Sequence, residues 1–108
     1  MATIGQQTPA REATAITFSA AAGGGDKFEN SGRDYLIVRN ASGAPVNLTI
    51  VTPATTDGLA IADRVVAIGD GETHVLGPWQ RDLYNDGDGF VNLTWSSAAG
   101  MTLAVIRV

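Results

Sequence analysis

His74 is the only histidine of the chain and the first side chain to test for catalysis. A hydrolase of the Ser-His-Asp type needs a serine nucleophile and a carboxylate around the imidazole. The sequence has no Gly-x-Ser-x-Gly motif, and its serines lie at turns and strand ends, where serine is expected for conformational reasons. The chain also has no cysteine, which excludes a thiol nucleophile and a thiolate metal site. We therefore predict no catalytic residue and expect that the protein is not an enzyme.

The segment Asn85-Asp86-Gly87-Asp88-Gly89 resembles the start of a calcium loop, because oxygen donors alternate with glycines. A calcium loop also needs a bidentate carboxylate several residues later, and Asn92 offers only an amide there. Asp-Gly pairs are ordinary turn formers. We interpret the segment as a turn and predict no metal and no cofactor; whether Asp86 or Asp88 binds a cation stays open.

The segment from Trp79 through Arg81 to Tyr84 combines aromatic rings with a guanidinium group. Protein interfaces favour this composition. The alternative is that Trp79 fills one end of the core, because only 6% of the residues are aromatic and the core needs some of them. Both interpretations remain open from the sequence alone.

The elements that must position these side chains are short strands. The strongest is Tyr35 to Asn40, and Pro45 to Val51 follows it after a short turn, so that the two predict a β-hairpin. Phe90 to Ser96 alternates between apolar and polar residues, and Met101 to Val108 predicts a final strand. About seven or eight such strands, spaced by turns, are typical of an all-β fold. We predict a small antiparallel β-sandwich or barrel, jelly-roll-like in character.

The amino-terminal segment has no strand pattern. Residues 1 to 12 contain Pro9 among mixed polar residues, and we predict an extended arm outside the core. Residues 13 to 108 then form a single β domain. The segment has no basic and apolar leader pattern, so we expect the protein to be made in the cytoplasm.

Charge and size restrict the partners. The net charge is −4, so the average surface repels nucleic acid, and no apolar run is long enough to span a bilayer. A domain of 108 residues buries only about two-thirds of its unfolded surface, which favours covering more of it in an oligomer. We expect a homo-oligomer that binds neither nucleic acid nor membrane.

Four segments together resemble a known group of proteins. They are Tyr35-Leu36-Ile37-Val38-Arg39-Asn40-Ala41-Ser42-Gly43, Asp57-Gly58-Leu59-Ala60-Ile61-Ala62-Asp63-Arg64, Gly77-Pro78-Trp79 and Tyr84-Asn85-Asp86. The chain resembles, over residues 28 to 108, the short cysteine-free β proteins that tailed bacteriophages encode beside their head genes. Several of these are head decoration, or capsid cement, proteins.

The resemblance implies a virion structural protein on the capsid exterior. It would bind the major capsid protein on the outer surface of the expanded head and stabilise it, most often as a trimer. The arm matches no motif of the group. We expect the partner-binding residues to be Ile4, Gln6, Pro9 and Arg11 in the arm, together with Trp79 and Arg81.

Two alternatives remain open. The chain could be a phage tail or head-tail joining protein, which would form rings. It could instead be a carbohydrate-binding β-sandwich, with Trp79, Trp95 and Tyr84 stacking on sugars and Asp86 or Asp88 holding a cation.

Overall fold

A computed structural model describes residues 2–11, 13 and 15–107 of the chain. The described elements are strands and one short helix, and they run in the order β1 (Ala2–Thr3), β2 (Gln6–Gln7), β3 (Ser19–Ala20), β4 (Asp26–Glu29), β5 (Asp34–Asn40), β6 (Val46–Ile50), β7 (Thr55–Thr56), β8 (Leu59–Ala60), β9 (Arg64–Ile68), β10 (Thr73–Leu76), α1 (Arg81–Tyr84), β11 (Phe90–Trp95) and β12 (Met101–Arg107). Among the described residues, no helix is long and apolar enough to cross a membrane.

The strands form two main sheets that face each other as a sandwich. Sheet A has the order β1-β4-β11-β6-β9, and sheet B has the order β10-β5-β12-β2, with β3 also paired to β12. All pairs between the longer strands are antiparallel. The two short amino-terminal strands pair in parallel, β1 with β4 and β2 with β12. A separate hairpin of β7 and β8 turns at Asp57-Gly58, where both residues have positive φ. The predicted all-β fold is confirmed.

The core lies between the sheets and is filled by aliphatic side chains. In sheet B, β5 and β12 pair along their full length, and Leu36 and Val105 are fully buried at paired positions. In sheet A, Leu48 and Leu93 are also fully buried, with Phe28 beside them on β4. Alternate residues of a strand point to opposite faces, so the apolar alternation of the sequence places one face of each strand in this core.

The predicted hairpin between Tyr35 to Asn40 and Pro45 to Val51 is wrong. The first of these strands lies in sheet B and the second in sheet A, so that the connection crosses from one sheet to the other. The buried side chain of Asn40 holds the crossing: its amide donates to the carbonyl oxygens of Ala44 (2.8 Å) and Ile68 (2.9 Å), and its oxygen accepts from the Ser42 N–H (2.9 Å). Separate sheets let both strands bury an apolar face against each other.

The prediction that the amino-terminal segment lies outside the core is wrong for residues 2 to 7. Strand β1 pairs with β4 of sheet A, β2 pairs with β12 of sheet B, and Ile4 between them is only 6% exposed. The segment therefore closes one open side of the sandwich. The physical reason is that it pairs strand edges on both sheets and buries the one large apolar side chain it carries. Residues 8 to 11 are exposed.

Two carboxylates are buried inside the sandwich: Asp34 is paired with a cation, whereas Asp26 accepts hydrogen bonds through Oδ2 and its Oδ1 has no partner among the described residues. Asp34 is fully buried and accepts from Arg107 Nε (2.8 Å) and from the Ser31 N–H (2.7 Å). Asp26, also fully buried, accepts from Trp95 Nε1 at 2.8 Å. Hydrogen bonds of this kind offset the cost of removing a charge from water.

Candidate protein-binding face

The outward faces of the two sheets differ in polarity. Away from its edge, sheet A presents Asn47, Thr49, Asn92 and Thr94 at alternate positions of β6 and β11. Sheet B presents Ile37, Val75 and Ile106 on its outward face, beside polar residues such as Arg39 and Thr102. On sheet A the large exposed apolar side chain is Val65, which lies on the edge strand β9. A contiguous exposed apolar surface is a typical sign of a binding surface.

Aliphatic residues on the sheet B side of the sandwich form one surface, which we call the apolar strip. We define it as Ile37, Val75 and Ile106 on the strands of sheet B, together with Pro9 and Ile16 between β2 and β3. Val75 on β10 lies directly beside Ile37 on β5. Pro9, Ile16, Ile37 and Ile106 line a shallow depression of about 230 Å³ together with Gln7. Val75 remains 66% exposed and Ile16 remains 46% exposed. The strip therefore holds apolar area that another protein could cover.

The part of the strip that precedes β3 is held on the sheet by two contacts. The Gln7 side-chain amide donates to the Thr17 carbonyl oxygen (2.7 Å), and its oxygen accepts from the Thr17 N–H (2.9 Å). The Arg39 guanidinium lies 5.0 Å from the centre of the Phe18 ring, within the range of a cation–π contact. These contacts position Ile16 beside the outward face of β5 and β12.

The predicted partner-binding residues do not form one surface in the structure. Pro9 belongs to the apolar strip, and Arg11 and Arg81 are exposed but lie outside it. Ile4 and Trp79 are only 6% and 4% exposed, so their prediction as partner-binding residues is wrong: both fill the core.

Gln6 is half-buried within β2, and its side-chain amide donates to the Glu29 carbonyl oxygen. Its amide therefore serves the fold. Ile16, Ile37, Val75 and Ile106 were not predicted from the sequence as partner-binding residues. One signal in the sequence could have identified Ile37: Tyr35, Ile37 and Arg39 alternate with the residues that are buried, which places Ile37 on the outward face of the strand.

Trp79 closes one end of a groove between β9 and β10. Its ring meets the Tyr84 ring edge-on, with centroids 5.3 Å apart, and Arg64 Nε donates to the Tyr84 hydroxyl at 3.2 Å. This hydrogen bond raises the pKa of Arg64 above its ordinary value. Val66 and Leu76 line the groove, whose volume is about 280 Å³. The groove is the uncovered side of the sandwich, opposite the side that the amino-terminal segment closes.

His74 is placed beside a carboxylate. Its Nε2 lies 3.1 Å from Glu72 Oε1, and no described hydroxyl group hydrogen-bonds to the imidazole. The hydrogen bond from His74, followed by that from the Gly69 N–H, lowers the pKa of Glu72. The pair links the start of β10 to the turn before it.

Asp86 organises the turn before β11. Its carboxylate accepts hydrogen bonds from the Asn92 amide (2.8 Å) and from the N–H groups of Asp88 (2.9 Å) and Phe90 (3.0 Å). These bonds, that from Asn92 first, lower the pKa of Asp86. Over the described residues, no group of three or more histidine or acidic side chains could hold a metal ion. The structure therefore uses Asp86 as a turn-forming side chain.

The aromatic residues of the carbohydrate-binding alternative do not form an exposed platform. Trp79 is buried, and Trp95 directs its indole N–H to the buried Asp26. Sugar recognition by stacking needs exposed ring faces. This arrangement disfavours the carbohydrate-binding alternative.

Neither a protein family, nor a curated protein, nor a solved structure matches this chain. The function proposed for it therefore depends on its own residues and on the resemblance to phage head proteins.

Proposed function

We propose that the protein is a structural component of a tailed-phage virion, a decoration protein that binds the outer surface of the expanded head through the apolar strip. The observation that carries the proposal is the apolar strip itself: Val75 and Ile16 are 66% and 46% exposed on the sheet B side, whereas the inner strands β6 and β11 of sheet A present polar side chains. The identity of the partner, the major capsid protein, is implied by the resemblance to phage head proteins.

The strip has the composition of a binding surface for another protein. Its members are aliphatic, and burying apolar area contributes roughly 25 cal/mol per Å² before the costs of association. Pro9 is conformationally restricted, so it loses little freedom when it is covered. Neighbouring Arg39 adds a cation at the edge of the strip. An apolar centre with a charged rim is the usual arrangement of a protein interface.

Stabilisation of the head follows from selective binding. A protein that binds the expanded lattice and not the unexpanded one shifts the equilibrium toward expansion by its difference in affinity. This mechanism needs no reaction, and it works with a rigid sandwich that carries one adhesive face. The sandwich core and the paired Asp34 and Arg107 provide such a support.

Cosedimentation with purified, expanded, undecorated capsids of the encoding phage tests the proposal. We expect Val75→Asp and Ile16→Asp to weaken capsid binding at least tenfold, because each places a charge in the strip. Thr94→Asp is the matched control, since it adds the same charge to the exposed face of sheet A.

Cryo-electron microscopy of the virion then locates the protein. Density on the outer head surface supports the proposal. Density confined to the tail or to the head-tail junction contradicts it and favours the joining-protein alternative. Equal capsid binding by the Val75→Asp and Thr94→Asp variants removes the apolar strip from the mechanism.

A further inference from the structure

Strand β9 is an edge strand of sheet A. Among the described strands it pairs with β6 alone, in the register Leu48 to Val66. In the neighbouring strand β6, the backbone groups of Asn47 point away from β9, since the Asn47 carbonyl oxygen accepts a hydrogen bond from the Ser96 N–H at 2.9 Å. The backbone N–H and C=O groups of successive residues in a strand point to opposite sides, so those of Leu48 point toward β9 and bond to those of Val66.

The alternation leaves two residues of β9 with outward backbone groups. Because the backbone of Val66 bonds to β6, the N–H and C=O groups of its neighbours Val65 and Ala67 point away from the sheet. Both side chains are also exposed, and that of Val65 is 59% exposed. An open edge with this pattern is a template for another strand.

From Val65 to Ile68 the edge lacks the charged side chains and prolines that usually prevent such pairing. Proteins protect edge strands with lysine, proline, a bulge or a covering segment. The sequence of β9 is Arg-Val-Val-Ala-Ile, with neither lysine nor proline. At the opposite end of sheet A, by contrast, the chain covers β4 with its own β1.

We propose that the occupant of this edge is a second copy of the chain, with β9 paired antiparallel to β9 around a two-fold axis near Val66. In this register Val65 of each copy lies opposite Ala67 of the other, and both residues exchange backbone hydrogen bonds. The two A sheets become one continuous sheet. Each exposed Val65 side chain is then covered in part by the other copy, as expected for an isologous interface.

Charge complementarity selects a second copy in this orientation. Arg64 stands at the start of β9, and the turn after the strand carries Asp70 and Glu72. Antiparallel pairing brings Arg64 of each copy toward the acidic turn of the other, whereas parallel pairing would bring like charges together. Each copy has a net charge of −4, so two copies repel each other, and the contacts between Arg64 and the acidic turns offset part of this repulsion in the antiparallel orientation.

This inference goes beyond the proposed function and does not depend on it. The edge of β9 belongs to sheet A, whereas the apolar strip lies on the outward face of sheet B. The dimer therefore leaves both strips uncovered, and it replaces the trimer that the family resemblance implies.

Size-exclusion chromatography with light scattering, and sedimentation velocity over a concentration series, test the pairing. We expect the wild type to reach twice the chain mass of 11.2 kDa. Val65→Lys should weaken the dimer at least tenfold, because it places a charge on the paired edge. Ala67→Pro should do the same by removing an outward N–H that β6 does not use. Thr94→Lys, on an inner strand of the same face, should leave the dimer unchanged.

A charge exchange tests the orientation. Arg64→Asp and Asp70→Arg should each weaken the dimer several-fold, and the double variant should recover most of the loss. Circular dichroism of each variant verifies that it is folded. A wild-type monomer or trimer at about 100 µM, or a Val65→Lys variant that dimerises like Thr94→Lys, overturns the proposal. Failure of capsid binding leaves these outcomes unaffected.

Discussion

Gln7 and Thr17 are joined by two reciprocal hydrogen bonds, in which the Gln7 side-chain amide takes the place of a neighbouring strand. Its Nε2 donates to the Thr17 carbonyl oxygen at 2.7 Å, and its Oε1 accepts from the Thr17 N–H at 2.9 Å. Gln7 is held in turn by β2, which pairs with β12. This relationship ties Ile16, and with it one end of the apolar strip, to the sheet.

Gln7→Ala should release Thr17 from the sheet. Two hydrogen bonds of about 0.5 to 1.5 kcal/mol each are lost, so hydrogen exchange of the Thr17 amide should accelerate roughly tenfold or more. Capsid binding should weaken as well, because Ile16 is no longer held in the strip. Gln80→Ala is the control, since Gln80 is exposed and its side chain makes no capping hydrogen bond. An unchanged Thr17 exchange rate would show that the two bonds do not hold the segment.

Ile4→Ala should destabilise the fold by about 2 to 4 kcal/mol, because it leaves a cavity between the sheets. Urea denaturation followed by tryptophan fluorescence measures the free energy of unfolding. Ile16→Ala is the matched control: the same side chain is 46% exposed there, against 6% at Ile4, and we expect a loss below about 1 kcal/mol. Equal effects of the two substitutions would contradict a core position for Ile4.

Arg107→Met should cost about 3 kcal/mol of stability, because it leaves the fully buried Asp34 carboxylate without its cation. The pair also raises the pKa of Arg107 above its ordinary value, chiefly through the Asp34 hydrogen bond. Arg33→Met supplies the comparison, since Arg33 is exposed and adjacent to Asp34. Thermal unfolding at neutral pH would separate the two variants; a melting temperature shared by both would argue against the importance of the pair.

Acid should destabilise the protein partly through Asp86. Hydrogen bonds from Asn92, Phe90 and Asp88 hold the pKa of its carboxylate below its ordinary value. A lowered folded-state pKa means that its contribution to stability is complete above the unfolded-state pKa, near 3.9, and is lost as the pH falls through the lower, folded-state value. Asp86→Asn should therefore flatten the stability profile below about pH 4.

Asp88→Asn serves as the control for this profile, because no described side chain or backbone N–H donates to the Asp88 carboxylate. We expect it to retain the acid dependence of the wild type. Parallel profiles for the wild type and Asp86→Asn would show that the turn does not depend on the ionised carboxylate.

Much of the strand content followed from local pattern. The alternation in Phe90 to Ser96 correctly separated Val91, Leu93 and Trp95 from the outward residues, because a strand exposes its two faces in turn. The hairpin prediction failed, since pairing partners depend on which sheet each strand joins. Asn40 directs that choice through contacts with Ala44 and with the distant Ile68, which no local pattern reports.

The candidate site shows the same division. Pro9, Ile4 and Trp79 were all predicted to bind a partner. The structure places Pro9 in the apolar strip and buries Ile4 and Trp79 in the core. Composition identified aromatic and aliphatic residues suited to an interface but not the face on which each would lie. That depends on contacts between Gln7 and Thr17 and between Trp79 and Tyr84.

The sequence by itself determined that this chain forms short strands with an aliphatic core and no thiol chemistry, because side-chain alternation and composition act locally. Only the tertiary structure decided that the amino-terminal segment closes the sandwich, that the sheet B face keeps its apolar side chains uncovered, and that β9 is an open edge. Those outcomes depend on pairing between residues far apart in the chain. Such pairing is set by the burial and hydrogen bonding of the whole sandwich.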